Sequence, residues 1–195
     1  MEKSNLNPSN PYSATKASSD LLVSAYERTY GINSITTRCT NNFGPHQFPE
    51  KLVPKTIIRL IKNLKVPLYG DGSQIRSWIY VSDHVSAIES IISKGQSGHV
   101  YNITAYEEIT NLTIVKKILE ILGKSENMIE YVNDRPGHDK RYSIDCSKIE
   151  NSLGWKPKYE FDDALKETVS WYVKNESWWE LLIDNKTLHS QPWTL

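Results

Sequence analysis

Cysteine is almost missing: Cys39 and Cys146 are the only two in 195 residues. Two distant thiols build no disulfide framework, so reduced side chains are expected. No apolar run approaches the ~18 residues a membrane helix requires. The polar opening Met1-Glu2-Lys3-Ser4-Asn5 has no apolar signal core. A cytoplasmic location is the expectation. Neither sign of charge dominates, with Lys plus Arg and Asp plus Glu at 23 each. That balance removes the electrostatic case for nucleic acid or an anionic membrane as partner. His46, His84, His99, His138 and His189 lack paired spacing with one another or with the cysteines, so no metal site is expected. There is no internal repeat and no low-complexity linker.

What is present reads as alternating helices and strands. Asn10 can cap a helix and Pro11 suits its first turn. Ala14, Ala17, Leu21, Leu22, Ala25 and Tyr26 then recur at helical spacing, and Gly31 supplies a left-handed stop. Residues 34–39 suit a strand, and residues 40–51 read as a polar loop. A helix is expected from Leu52, an extended piece at 67–69, a turn at Gly70-Asp71-Gly72 and a strand over 76–81. Helices follow with Ser82, Asn111 and Asp162 as expected caps, and one over 146–153 is stopped by Gly154. Strands are expected at 100–104 and 129–132, and a charged loop over 133–141. Trp171, Trp178 and Trp179 share one helical face, which suits core packing or a partner surface. The class is α/β.

Chemistry enters with Tyr12-Ser13-Ala14-Thr15-Lys16. A tyrosine and a lysine four apart share a helical face. A nearby ammonium favours phenolate, and such a tyrosine can take a proton from a sugar hydroxyl while hydride leaves for a nicotinamide. The same spacing also fits a core tyrosine beside a solvated lysine. Arg76 and Arg135 are planar, permanently charged donors, and each taken alone reads as a surface ion pair of little worth.

Three further runs are far from generic: the stretch from Asn41-Asn42-Phe43-Gly44-Pro45-His46 through Phe48-Pro49-Glu50-Lys51-Leu52-Val53-Pro54; Tyr69-Gly70-Asp71-Gly72-Ser73-Gln74-Ile75-Arg76-Ser77-Trp78-Ile79-Tyr80; and Asp134-Arg135-Pro136-Gly137-His138-Asp139-Lys140-Arg141-Tyr142. Read in order with Tyr12 and Lys16, they resemble the extended short-chain dehydrogenase/reductase superfamily, and within it the dTDP-glucose 4,6-dehydratases. The Leu153-Gly154-Trp155-Lys156-Pro157 run is common to many nucleotide-sugar members. The resemblance extends to about Asp184.

The resemblance implies roles. Tyr12 would be the active-site tyrosine, touching the nicotinamide ribose of NAD, and Lys16 would hold that ribose. Asn42 would make a backbone contact near the nicotinamide, and Asn41 would meet the substrate. Glu50, Lys51, Leu52, Val53, Pro54 and Lys55 would wrap the sugar nucleotide, with Val66, Pro67 and Leu68 beside the base. Arg76 and Arg135 would meet the diphosphate, Asn111 the nucleotide, and Asp134, Arg135 and His138 would belong to a loop closing over it. The implied reaction converts dTDP-glucose to dTDP-4-keto-6-deoxyglucose.

The family pattern also includes a glycine-rich strand-turn-helix that binds the dinucleotide pyrophosphate, and a Thr-Asp-Glu element for water elimination. Neither has a counterpart here, and the Gly70-Asp71-Gly72 turn lacks a third glycine. The expected architecture is therefore a partial Rossmann-like doubly wound sheet plus a smaller mixed α/β substrate-binding lobe. Residues 1–65 would be the remnant of the dinucleotide-binding domain. Residues 66–195 would be mainly the nucleotide-sugar lobe, interleaved with the last sheet strands. The full-length family implies a homodimer. Half of a split enzyme completed by a partner chain, a nucleotide-sugar binding module, and a related NAD-dependent epimerase or decarboxylase are the alternatives. Without the remaining strands a sheet edge and an apolar helix face would be exposed, so a marginal, oligomeric or aggregation-prone chain is expected.

Overall fold

The computed structural model describes residues 1–184 and 186–190. In chain order the elements are α1 (Pro11–Tyr30), β1 (Thr36–Cys39), β2 (Asn41–Phe43), α2 (Leu52–Ile61), β3 (Val66–Tyr69), β4 (Ile75–Tyr80), α3 (Val81–Lys94) and β5 (Val100–Ile103). Then follow β6 (Glu108–Thr110), α4 (Asn111–Ile121), a 3-10 turn (Glu126–Met128), β7 (Ile129–Val132), β8 (Arg141–Tyr142), α5 (Ser147–Leu153), α6 (Phe161–Lys174) and α7 (Glu176–Glu180). The α/β class expected from the sequence is the class observed.

Helix α1 begins where the Asn10 side chain accepts from the Ser13 amide at 2.9 Å. Pro11 at the first helical position has no N–H to leave unpaired, and Gly31, at φ 65°, closes the helix. The helix buries none of its side chains. Leu21, Leu22 and Tyr26 are each more than half exposed. Polar ties hold it instead. Asp20 meets Arg38 of β1 at 2.6 Å, and Ser9, just ahead of the helix, donates to Asp139 at 2.7 Å.

Strand β4 is the centre of the fold. It pairs in parallel with β2 and β8 and antiparallel with β6. Its alternation divides two cores. Trp78 and Tyr80 enter a large cluster with α2, β3, α4, α6 and α7, while Ile79 enters a smaller one with α3, β5 and α5. Burying a side chain of leucine or phenylalanine size stabilises by about 1.5–3 kcal/mol, so the large cluster, which includes fully buried Ile57, Ile114, Tyr172 and Trp179, anchors the chain. The other parallel pairs are β1 with β5 and β3 with β7.

Several local expectations need correction. Asn41–Phe43 is a strand rather than loop, because it pairs with Trp78–Tyr80 and buries Phe43; three residues are too few to show a period of two. Helix α3 starts at Val81, ahead of Ser82, with no side-chain cap. Helix α6 starts at buried Phe161, ahead of Asp162, likewise without a side-chain cap. In both, packing of an apolar residue outweighs the worth of a polar cap, about 1 kcal/mol. Thr110, not Asn111, caps α4, accepting from the Thr113 amide at 3.1 Å. Asp83, inside the first turn of α3, accepts from the Lys158 and Tyr159 amides at 3.0 and 3.1 Å and pins the entry to α6.

Candidate ligand-binding site

Helix α2 and strand β3 leave a cavity of ≈ 80 Å³ between them, closed by the start of α4. Glu50, Leu52, Lys55, Thr56, Val66, Pro67, Leu68, Tyr69 and Asn111 line it. Seven of these nine are residues the sequence pointed to. The wall is mostly apolar because β3 is buried and α2 turns its apolar face inward. Gly72, at φ 72°, forms the turn after β3; a Cβ there would stand 2.6 Å from Leu68 Cδ2, so only glycine fits. Val53 and Pro54 are buried on the same helix, and Glu50 pairs with the exposed Lys51 at 2.6 Å. Burial, then the charge of Arg59, holds Lys55 down at about 8, with Glu50 acting in the opposite direction.

A polar hub connects this cavity to the 134–142 segment. Gln74 is buried; its Nε2 donates to Asp134 Oδ2 at 2.9 Å and its Oε1 accepts from Asn111 Nδ2 at 3.4 Å. Asp134 also accepts from the Arg135 amide at 2.8 Å and meets His138 Nδ1 at 2.7 Å. Burial works to raise the Asp134 carboxyl, but these hydrogen bonds outweigh it and hold the group below its ordinary value.

Arg76 is buried on β4, and its guanidinium donates to the Ile75 and Asp139 carbonyls at 2.7 and 2.6 Å. Burial lowers it, and the charge of Arg135 acts in the same sense. Arg135 is exposed and also acts on Tyr69 at the cavity wall. The two arginines are therefore neighbours, one anchored to backbone and one free to turn towards an anion.

The same segment reaches α1. Asp139 accepts from Ser9. Burial raises the Tyr142 phenol, and nearby Cys39 and Tyr12 push it the same way. Tyr12 and Lys16 are exposed on the first turns of α1. Asn42 donates to the Thr40 carbonyl at 3.2 Å and approaches Cys39 Sγ at 3.5 Å, while its Oδ1 is buried without a partner. Asn41 is exposed at the start of β2. Asn41 and Asn42 follow the carboxyl end of β1, where ligands of parallel sheets bind, and Tyr12 is linked to that end through Tyr142, which feels both Tyr12 and Cys39.

A nicotinamide cofactor fits this chain at one end only. At that end Tyr12 and Lys16 present an open face. No glycine-rich strand-turn-helix occurs among the described residues. The one glycine-rich turn engages its own amides: Gly70 donates to Val132, Gly72 to Tyr69 and Ser73 to Asp71.

The loop ahead of α2 is clamped from behind. His46, at φ 63°, sits 4.4 Å from the Trp171 ring and 5.1 Å from Trp178, and the Tyr172 hydroxyl donates to the Gln47 carbonyl at 2.5 Å. Trp179 is fully buried. The tryptophan face is thus core plus a clamp on His46. Sequence reasoning missed Gln74, Thr56 and Tyr69. Gln74 had one signal: an uncharged polar residue opening a strand that is otherwise buried, a position that requires partners.

No group of histidine, cysteine or acidic side chains among the described residues could hold a metal ion. No helix of the described residues is long and apolar enough to cross a membrane.

Comparison with known proteins gives the family. A dTDP-glucose 4,6-dehydratase of Escherichia coli is 46% identical over 194 residues, covering 94% of this chain and 54% of that protein. The crystal structure of dTDP-glucose 4,6-dehydratase from Bacillus anthracis in complex with NAD superposes with a TM-score of 0.90 at 48% identity, covering 94% of this chain and 58% of that one. The Streptomyces venezuelae dTDP-glucose 4,6-dehydratase, solved with NAD bound, gives a TM-score of 0.91 at 44% identity, covering 93% and 56%. The chain spans about half the length of the curated relatives it matches. The family model for GDP-mannose 4,6 dehydratase matches residues 1–168, and the chain belongs to that family.

Proposed function

We propose that this chain is the nucleotide-sugar half of a dTDP-glucose 4,6-dehydratase, a lyase that forms dTDP-4-keto-6-deoxyglucose and water. The observation that supports it best is continuity. One segment, 134–142, starts at the cavity through Asp134 and Gln74, passes the Arg135–Arg76 pair and ends beside Tyr12. On this reading the base lies at the α2–β3 cavity, the diphosphate at Arg135, and the glucose extends towards Asn41 and Tyr12.

Tyr12 takes the proton of the C4 hydroxyl, and Lys16 holds the ribose. Tyr12, Lys16 and Asn42 would hold the nicotinamide end of NAD, which would supply hydride exchange with the sugar. The acid and base for loss of water across C5 and C6 come from the remaining half of the enzyme, as does the pyrophosphate cradle. The division into residues 1–65 and 66–195 is best drawn with α2 in the second part, since its apolar face shares a core with α4 and α6. A homodimer, or a partner chain that supplies the other half, covers α1. The setting is the cytoplasm.

Calorimetry with dTDP tests the site. Binding is expected, weakened roughly tenfold by Arg135→Gln through loss of a charge-assisted contact. Absence of heat at millimolar dTDP removes the reading. Mixing with a chain that supplies the NAD-binding half, then assaying 4-keto-6-deoxy sugar, tests the activity. Because the pyrophosphate cradle has no counterpart here, binding without turnover would leave a nucleotide-sugar binding module as the function.

A further inference from the structure

Lys55 is a buried cation with thin compensation. It is 7% exposed, and its Nζ donates to the carbonyl of His189 at 2.7 Å. One turn on, Arg59 donates to the Leu188 carbonyl at 2.5 Å and to the Lys65 carbonyl. Two cations of α2 thus hold consecutive carbonyls of the 186–190 segment. That segment is also organised internally. The Thr187 amide donates to Asp184 Oδ1 at 2.6 Å, the His189 amide donates to Lys186, and Leu188 packs against the large core.

An ammonium has three N–H donors. The His189 carbonyl takes one, and Lys55 stands in the wall of the α2–β3 cavity. A buried donor facing a cavity is under-satisfied until an acceptor arrives. The His189 carbonyl engages one proton from one side, which leaves two for an acceptor in the cavity.

We propose that the 186–190 segment is a strap that orients Lys55 towards the cavity, so that strap and a nucleoside diphosphate stabilise one another, with Arg59 as the positioning residue. This rests on reading the cavity as the nucleotide site. Lys55 meets the ligand, and Arg59 acts through the strap without touching the cavity. Coupling of this kind is reciprocal: whatever the strap adds to ligand affinity, the ligand adds to strap order.

Hydrogen–deuterium exchange of the peptide covering 186–190, with and without dTDP, reads one side of the coupling. Calorimetry with dTDP on the intact chain, Arg59→Gln, Arg59→Lys and Lys55→Met reads the other. The ligand is expected to slow exchange in the strap. Arg59→Gln and Lys55→Met are each expected to lower affinity about tenfold, within the usual range of such coupling, and to abolish the slowing. Arg59→Lys restores part of both. A purely structural Arg59 would speed exchange in the strap but leave the ligand-induced slowing intact, and that result overturns the proposal. So does unchanged affinity in Arg59→Gln. If the intact chain takes up no dTDP, the cavity reading itself falls and the coupling falls with it, a result distinct from binding without coupling.

Discussion

Replacing Lys55 by methionine should make the protein more stable at neutral pH. Methionine keeps an unbranched apolar stem of similar length and removes the charge. In the fold the amine sits at about 8 against an ordinary 10.5, through burial first and the Arg59 charge second. That gap corresponds to about 3 kcal/mol favouring the uncharged form, at about 1.4 kcal/mol per pH unit. The lost hydrogen bond to the His189 carbonyl offsets about 1 kcal/mol. The net gain is about 2 kcal/mol at pH 7, or ~4–8 °C in Tm for a chain of this size. The sign follows from proton linkage. Between pH 8 and 10.5 the unfolded chain holds this proton and the folded chain does not, so the parent's stability rises through that window. The variant has no such rise, and its advantage shrinks as pH approaches 10.5. Thermal unfolding followed by circular dichroism at pH 7 and pH 10 measures both. A lower Tm for Lys55→Met at pH 7, or an advantage equally large at pH 10, refutes the reasoning. A charge kept at such expense is the pattern of a site that trades stability for ligand recognition.

Other expectations follow from single contacts. Asn10→Ala removes the cap of α1 and should cost about 1 kcal/mol locally; since α1 buries no side chain, amide exchange in its first turn should rise while the global melting point barely moves. Glu108 is held by Arg141 at 2.8 and 2.6 Å, and this pairing, with Ser143 adding to it, brings the carboxyl from 4.5 down to about 2. Arg141→Met should return it towards 4.5 in an NMR titration. The pair's contribution is present above the ordinary carboxylate value and is lost as pH falls through the folded one. The open apolar face of α1, with Leu21, Leu22 and Tyr26 exposed, should make the isolated chain self-associate. Light scattering should show oligomers that Leu21→Lys with Leu22→Lys disperses, and a monodisperse parent monomer would contradict this.

How much was legible depended on whether the signal was local. Asn10, Pro11 and Gly31 bracket α1 correctly because capping is decided within a turn. The caps of α3 and α6 were misread because the deciding contacts, Val81 and Phe161 against distant residues, are tertiary. Strand β2 and strand β6 were invisible because three residues gain strand character only from a partner. Among site residues, the cavity wall from Glu50 to Leu68 was readable as a motif. The bridging of Asp134 to Asn111 by Gln74 was not, since it joins residues 37 and 60 positions apart. Likewise, nothing in the string indicates that carbonyls at 188 and 189 return to α2.

The two ends of the proposed site differ in how completely this chain builds them. The nucleotide end is carried by a closed core: α2, α4, α6 and α7 bury one another, and Lys55, Thr56, Val66, Pro67 and Leu68 of the cavity wall are buried. The tyrosine end is carried by a helix held through a cap, an ion pair and a hydrogen bond to Asp139. Burial of apolar area stabilises at about 25 cal/mol per Å², whereas an exposed ion pair contributes about 1 kcal/mol or less. Recognition of the nucleotide should therefore persist in the isolated chain under conditions where α1 already frays. Chemistry at Tyr12 should require whatever covers Leu21 and Tyr26, because positioning a catalytic phenol demands a rigid helix. On the proposed reading the division within this chain falls ahead of α2, whose apolar face shares a core with α4 and α6, and nucleotide binding is expected on that side of it with proton transfer on the other.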